Sequence, residues 1–583
     1  MSRFRSRYII MLLFVSLLTF YPLLMLLYGS FRTAAPGLPS TWSAKAYQTV
    51  YSEPLTWITL GNSFFLASMV TIYSLLIAIF FAWIVARTDV PWRGLVTPIM
   101  VLTFFLPSIF FAMSWSMLGN EKAGLLNHGF KWLFNVPGPF NINTWPGLIY
   151  TMVLSVTPFK FLLLVNTFRL MDNTLEEAAM LSGANRIKVF LRIIIPVLSP
   201  TIIGITILSF VKALQTLEIP LFIGFSSKIY VVSTRIFDYI SNYFPARYAE
   251  ATALGIVLVL IMLILGMWQL KLLGNRDYFT VSGKGFRPDI IVLGKVKFLG
   301  TAAIVLYGLL ALVLPFIQLF IGSFQKVFGL YNMGMFTFQN YESVFSRPLI
   351  WKSLWNTVWV ASVGGFLAMV LGCLVALVLV RSRSLLNKPI EFVSWLPWTM
   401  PGIVLGVAIL WAYLTVPGLK QLYGTVWILI IAVVITVLPL AVSVIKGALK
   451  QVHIDLEESA RMFGANRVYA FLFITMRVIW PTFAYGWMVS AIIISGEFSI
   501  PMFLYTPGSE VLTIVIFQLF SEGKVEDAAA VFTVIIFGIL ALFLVFKGLS
   551  YVNHFILSKW LDAKGYKHSV KNVQSGVVVR RIE

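Results

Sequence analysis

The stretch EEAAMLSGANR at residues 176–186 returns as EESARMFGANR at 457–467, 281 residues later. Both copies are polar, and both sit in a chain dominated by apolar runs. Each copy starts like a helix. Thr174 stands three residues before Glu177, and Asp455 three before Glu458, which is capping-box spacing for the unpaired N–H groups of a helix start. The acids also suit the positive end of the helix dipole. Small residues follow, Ala178 and Ala179 in one copy, Ser459 and Ala460 in the other, so another surface can come close. Gly183 and Gly464 then allow a sharp turn.

The surrounding chain decides what such a hairpin can be. Of 583 residues, 59% are hydrophobic and 11% charged, against about 25% charged in an ordinary soluble protein. Runs such as 9–28, 63–85, 254–270, 358–380 and 531–546 approach or exceed the length a bilayer-spanning helix needs. Long continuous runs point to helices, not to a β-barrel. We read an all-α polytopic membrane protein with twelve spans, centred near residues 18, 73, 107, 157, 210, 260, 310, 367, 402, 435, 491 and 537. The spans near 107, 210, 402 and 491 contain prolines or polar residues and are expected to be broken. The net charge of +21 follows from topology and not from nucleic-acid binding. Most Lys and Arg fall on one side, including Arg3, Arg5, Arg7, Arg381, Arg383 and Lys388, and that side is expected to be cytoplasmic. The first apolar run has no small-residue cleavage site directly after it, so it reads as an uncleaved helix. The lone Cys373 leaves no intrachain disulfide.

The repeat extends beyond the hairpin. SEPLTWITLGN at 52–62 matches SRPLIWKSLWN at 346–356, and LPSIF at 106–110 matches MPGIV at 400–404, both 294 residues apart. The shorter spacing of the hairpins reflects a long loop after span three in the first half. Each half has six spans, so the two repeats are parallel. The expected division is a first helix and outer segment at 1–57, a domain at 58–270, a cytoplasmic linker at 271–297, a seventh helix and outer segment at 298–351, a second domain at 352–551 and a cytoplasmic tail at 552–583. Both hairpins lie between spans four and five of their half and face the cytoplasm. A hairpin lying on the membrane for its own stability explains one copy. Two copies in otherwise diverged halves favour docking.

These residues resemble the EAA motif of the permeases of binding-protein-dependent ABC importers: Glu-Ala-Ala, then Gly, then a hydrophobic run to Pro. Glu177, Ala178, Ala179, Gly183, Ile193 and Pro196 match. Glu458, Ala460, Gly464 and Ile474 match in the second half, which departs at Ser459, Met476 and Arg477. The chain is similar to a fused double-domain permease of type I, and LEIPLFIG at 217–224 is similar to the iron(III) Fbp/Sfu-type permeases. The resemblance implies a bacterial inner-membrane subunit with both termini cytoplasmic. It implies two copies of a cytoplasmic ATPase, carrying ATP and Mg, gripped by Glu176, Glu177, Ala178, Ala179 and Gly183 and by Glu457, Glu458, Ser459, Ala460 and Gly464. It also implies a periplasmic or lipid-anchored substrate-binding protein. The implied cargo is iron(III), with a phosphonate, sugar phosphate, polyamine or thiamine as alternatives.

No G-x-x-x-x-G-K-[ST] phosphate loop is present, so the chain is expected not to hydrolyse ATP and to be no enzyme. It has four scattered histidines, no Cys/His metal cluster and no nucleophile–base pair, and no cofactor is expected on it. A twelve-helix secondary transporter also carries parallel half-repeats, but its signature loop would lie between spans two and three, where only RTDVPWRG at 87–94 is found. Four ionisable residues fall in or beside spans: Lys160, Lys212, Glu218 and Glu497. Two readings stand for them. They snorkel or fix helix packing, or they line a translocation path.

Overall fold

The computed structural model describes residues 2–169, 171, 174–273, 290–382 and 384–538. Among the described residues the regular structure is helical, with only isolated bridges between extended segments. Nine single helices are long and apolar enough to cross a membrane, and two bent pairs bring the number to eleven. All eleven lie where spans are expected. The twelfth, expected near 537, begins in a helix over 525–538 and then leaves the described residues, as does the expected tail.

The first half comprises α1 (Ser2–Ser30), α2 (Pro54–Arg87), the bent pair α3 (Arg93–Phe105) and α4 (Ser108–Leu118), α5 (Trp145–Arg169), the hairpin helix α6 (Thr174–Leu181), α7 (Ile195–Gln215) and α8 (Tyr248–Leu273). The second half repeats this order. It runs through α9 (Lys297–Gly308) and α10 (Leu314–Phe324), joined by one π turn, α11 (Pro348–Arg381), the bent pair α12 (Asn387–Trp395) and α13 (Gly402–Thr415), α14 (Val426–Gln451), the hairpin helix α15 (Asp455–Met462) and α16 (Met476–Ser495). In each half the second span is the hub: α2 packs along α5 and α7, and α11 along α14 and α16.

The bends have a local cause. Pro107 and Pro401 start the second helix of each pair, and a residue before proline is pushed out of the helical region. Leu106 and Met400 are accordingly extended. The pairs bend by 98° and 109°. Beyond the bend, α4 is buried over Ile109–Leu118, and α13 over Ile403–Tyr413. A helix apolar all round belongs in the interior, and both of these lie there. The spans near 210 and 491, expected to be broken in the same way, are continuous to Gln215 and Ser495. Their prolines, Pro200 and Pro481, sit inside the helix. Neighbouring helices can satisfy the carbonyl that such a proline frees.

The first span of each half crosses to the other half. Helix α1 packs on α13, and α10 on α4. Glycine makes the approach possible. A Cβ on Gly29 would lie 2.4 Å from the Trp411 ring, and one on Gly322 would lie 2.5 Å from Met117 Cε. Met117 and Trp411 are equivalent positions in the two repeats.

Of the expected linker, residues 274–289 lie outside the described residues. Its far end is pinned to the base of α2. The Ile291 N–H donates to the Arg87 carbonyl at 2.8 Å, and the Leu293 N–H to Asp89 Oδ1 at 2.9 Å.

Candidate functional site

Both hairpins close with the same hydrogen bonds. Gly183 has φ +83° and Gly464 φ +91°. Just past each helix, Ala184 N–H donates to the Ala179 carbonyl (3.0 Å) and Ala465 N–H to the Ala460 carbonyl (3.1 Å). Gly183 N–H donates to Met180 and Gly464 N–H to Arg461, each at 3.0 Å. This is a Schellman ending with glycine at the left-handed position. Asn185 and Asn466 then cap the returning helix, their Oδ1 atoms accepting from the Lys188 and Tyr469 N–H groups at 2.8 Å. The glycines are needed for their backbone angle and not for space, since nothing lies within 4 Å of a Cβ at either.

The helix starts differ from expectation. No capping box forms at Asp455: Ile454 already has helical angles, and Asp455 is the first residue inside α15. Its carboxylate faces His453 Nδ1 at 2.9 Å instead. Asp455, Glu457 and Glu458 still crowd the first turn, where the dipole favours acids. The side chains of Thr174 and Glu177, which would form the first-half capping box, lie outside the described residues.

The two glutamates of each motif divide their roles. Glu458 is exposed, as are Ala178 and Ser459, with Ala179 and Ala460 half-buried. Glu176 and Glu457 turn inward. Glu176 is 7% exposed and pairs with Arg87 Nη2 at 3.4 Å. Glu457 pairs with Arg381 Nη2 at 3.0 Å and accepts from Thr475 Oγ1 at 2.8 Å. The hairpin tips carry apolar side chains that our sequence reading passed over. Leu181, Met462 and Phe463 are 90%, 87% and 93% exposed.

The second constellation lies between the halves, where both fifth spans end. Glu218 and Glu497 sit just past Gln215 and Ser495, but they are not repeat mates. The repeat spacing of 281 pairs Glu218 with Ser499, and the Ser499 hydroxyl donates to Glu218 Oε1 at 2.9 Å. A position that touches its own counterpart lies on a twofold axis, so this bond locates the pseudo-twofold axis. Glu497 stands beside it, within electrostatic reach of Glu218 and Lys212. Lys212 Nζ lies 5.7 Å from the Trp398 ring centre, and Gln215 Nε2 donates to the Trp398 carbonyl at 2.8 Å. Next to these groups, Phe222 and Phe237 of the first half meet Phe503, Phe517 and Phe520 of the second. The structure thus brings together Lys212, Glu218 and Glu497. Lys160 is 1% exposed within α5, and among the described residues no hydrogen bond or ion pair links it to the cluster. Among the described residues no three His, Cys, Asp or Glu gather to hold a metal ion.

Arg87 and Ser499 were not singled out from the sequence, and Arg381 was read only as one of the basic residues that mark the cytoplasmic side. For the arginines the signal was present, because Arg87 and Arg381 recur at the repeat spacing of 294, whereas Ser499 stands 281 residues from a glutamate and recurs nowhere in the repeat.

Residues 74–276 and 368–553 each match the family described as "Binding-protein-dependent transport system inner membrane component". The ferric transport system permease protein FbpB of Actinobacillus pleuropneumoniae is 28% identical over 434 residues, 72% of this chain. A permease named for ferric transport in Haemophilus influenzae is 28% identical over 404 residues, 67% of this chain. The chain spans 59% and 60% of the lengths of these two curated relatives. A permease named for 2-aminoethylphosphonate transport in Salmonella choleraesuis is 27% identical over 219 residues, 37% of this chain and 77% of that one.

Proposed function

Since the chain belongs to the family of binding-protein-dependent transport system inner membrane components and carries its domain twice, we propose that it forms the whole membrane pathway of an ATP-driven importer. The observation that carries this reading is the pair of hairpins. Both end in the same left-handed glycine turn, both present bare apolar tips, and both belong to equivalent places in a fused double domain. Each hairpin docks one ATPase subunit, so one chain engages two. ATP and Mg belong to those subunits. A separate binding protein delivers the cargo to the opposite face. Both termini and the linker then lie on the ATPase side.

The axis cluster is the gate of this pathway. One hydroxyl–carboxylate bond holds Glu218 to Ser499 at the seam between the halves. Such a contact parts easily when the halves move. A nucleotide shifts that equilibrium only by binding the two states unequally, so ATP must favour the arrangement in which the hairpins are drawn together.

Iron(III) is the cargo this reading favours. The ferric relatives align through both halves, whereas the phosphonate permease aligns through about a third of the chain. The gate cluster holds two carboxyl groups and one lysine, so the choice of cargo rests on the extent of the ferric alignment. The test is uptake of labelled iron(III) and of 2-aminoethylphosphonate by vesicles holding the chain, its ATPase and its binding protein. ATP-dependent iron uptake supports the reading. Phosphonate uptake alone would overturn the cargo, and ATP-independent uptake would overturn the class.

A further inference from the structure

We infer that Arg87 and Arg381 are positioning residues that lock each hairpin to the inner end of its second span, so that hairpin and span move as one body. This rests on the coupling role proposed above for the hairpins.

The same joint is built twice. Arg87 is the last residue of α2 and Arg381 the last of α11. The Arg87 guanidinium donates to the Met171 carbonyl at 2.9 Å and pairs with Glu176 at 3.4 Å. The Arg381 guanidinium donates to the Val452 carbonyl at 3.1 Å and pairs with Glu457 at 3.0 Å. Met171 and Val452 are repeat mates, as are Glu176 and Glu457. A planar fork of donors can hold a carbonyl and a carboxylate together, which a lysine ammonium does less rigidly. Both arginines are shielded, with side chains 1% and 16% exposed. The arginine and the glutamate are the same residues in both halves, and the carbonyl comes from equivalent positions.

The mechanical consequence follows from counting attachments. A hairpin is tied to the membrane by its two chain ends, here α5 and α7, or α14 and α16. A body held at two points can rock about the line between them. A third tie, to a different span, removes that freedom. The third tie is the arginine, and the span it recruits is the hub of its half. Glu176 and Glu457 therefore act inward, and the exposed Glu458 is the one left to meet a partner.

The experiment follows motion and not uptake, so it does not depend on the cargo. Spin labels go on Leu181 and Met462 at the hairpin tips, and on Gly61 and Trp355 near the far ends of α2 and α11. Gly61 and Trp355 are exposed repeat mates, and Gly61 has open space for a side chain. Distances are measured in the complex with its ATPase subunits, with and without nucleotide. In the parent complex nucleotide should shift both pairs. With Arg87→Gln and Arg381→Gln the tip shift should remain and the far-end shift should fall about twofold or more. Should the Gln variants fail to assemble, Arg87→Lys and Arg381→Lys, which keep the charge and lose the fork, are expected to show the same loss. A full far-end shift in the assembled variants would overturn the joint. A parent complex whose tips do not respond to nucleotide would instead overturn the coupling reading.

Discussion

Glu218 and Ser499 occupy the same place in the two repeats, and they touch, with the Ser499 hydroxyl donating to Glu218 Oε1 at 2.9 Å. Every contact on a twofold axis is made by a residue with its own counterpart, so a substitution here acts on both halves at once. Ser499→Ala removes one hydrogen bond and should cost about 1 kcal/mol. Ser499→Glu makes the pair symmetric, adds a third buried carboxyl group beside Glu218 and Glu497, and should lower the midpoint of thermal unfolding further than the alanine does. Equal midpoints for the two variants in detergent would mean that the halves do not meet at this bond.

Gly183 and Gly464 take left-handed angles in open surroundings. Alanine at either position meets no neighbour, so its cost is backbone strain alone, about 1–2 kcal/mol. Amide exchange should speed up in the hairpins of Gly183→Ala and Gly464→Ala and be unchanged in α2 and α11. Leucine at both positions should uncouple ATP hydrolysis from uptake while the chain still inserts.

Gly29 and Gly322 serve the opposite purpose, since both are crowded. Gly29→Ala drives a methyl into the rigid Trp411 indole, whereas Gly322→Ala meets only the flexible end of Met117. Overpacking a fixed ring costs about 1–3 kcal/mol. Thermal unfolding should therefore show Gly29→Ala to be the more destabilised, although both glycines do the same job in their halves.

The residue before the proline that opens each second span has opposite charge in the two halves. Glu53 accepts from Arg235 Nη2 at 2.8 Å and from the Tyr239 hydroxyl at 2.9 Å. Its counterpart Arg347 pairs with Asp527 at 2.8 Å. Arg235 is nearly buried, so Glu53→Gln weakens a charge-assisted bond and should cost about 1.5–3 kcal/mol. Arg347 is 36% exposed, and Arg347→Gln should cost less than about 1 kcal/mol. Equilibrium unfolding of the two variants gives the comparison.

Burial pushes the Tyr239 phenol up to about 12, from about 10 in an unfolded chain. The folded state thus holds this proton where the unfolded state releases it. The contribution is complete below pH 10 and is lost as pH rises toward 12. Tyr239→Phe should flatten the alkaline limb of the stability curve by one proton in that window, as read from unfolding midpoints at stepped pH.

The membrane class, the two halves and the hairpins were legible in the amino-acid order because each is written locally. Span length is a run of apolar residues. The repeat is a spacing. The hairpin turn is a glycine that must take positive φ, whatever surrounds it. The bends at Pro107 and Pro401 are equally local, since proline restricts the residue before it. Pro200 and Pro481 show the limit of that logic, because whether a helix survives a proline depends on the helices beside it. What faces what was decided only by packing. Glu218 and Glu497 look like a pair along the chain, yet the axis joins Glu218 to Ser499, because the fifth spans stop at Gln215 and Ser495 and each break turns toward the other half. Arg87 and Glu176 read as a basic helix end and a motif acid. They become one joint only when the hairpin folds back under its second span, and no local propensity encodes a contact between residues 89 positions apart.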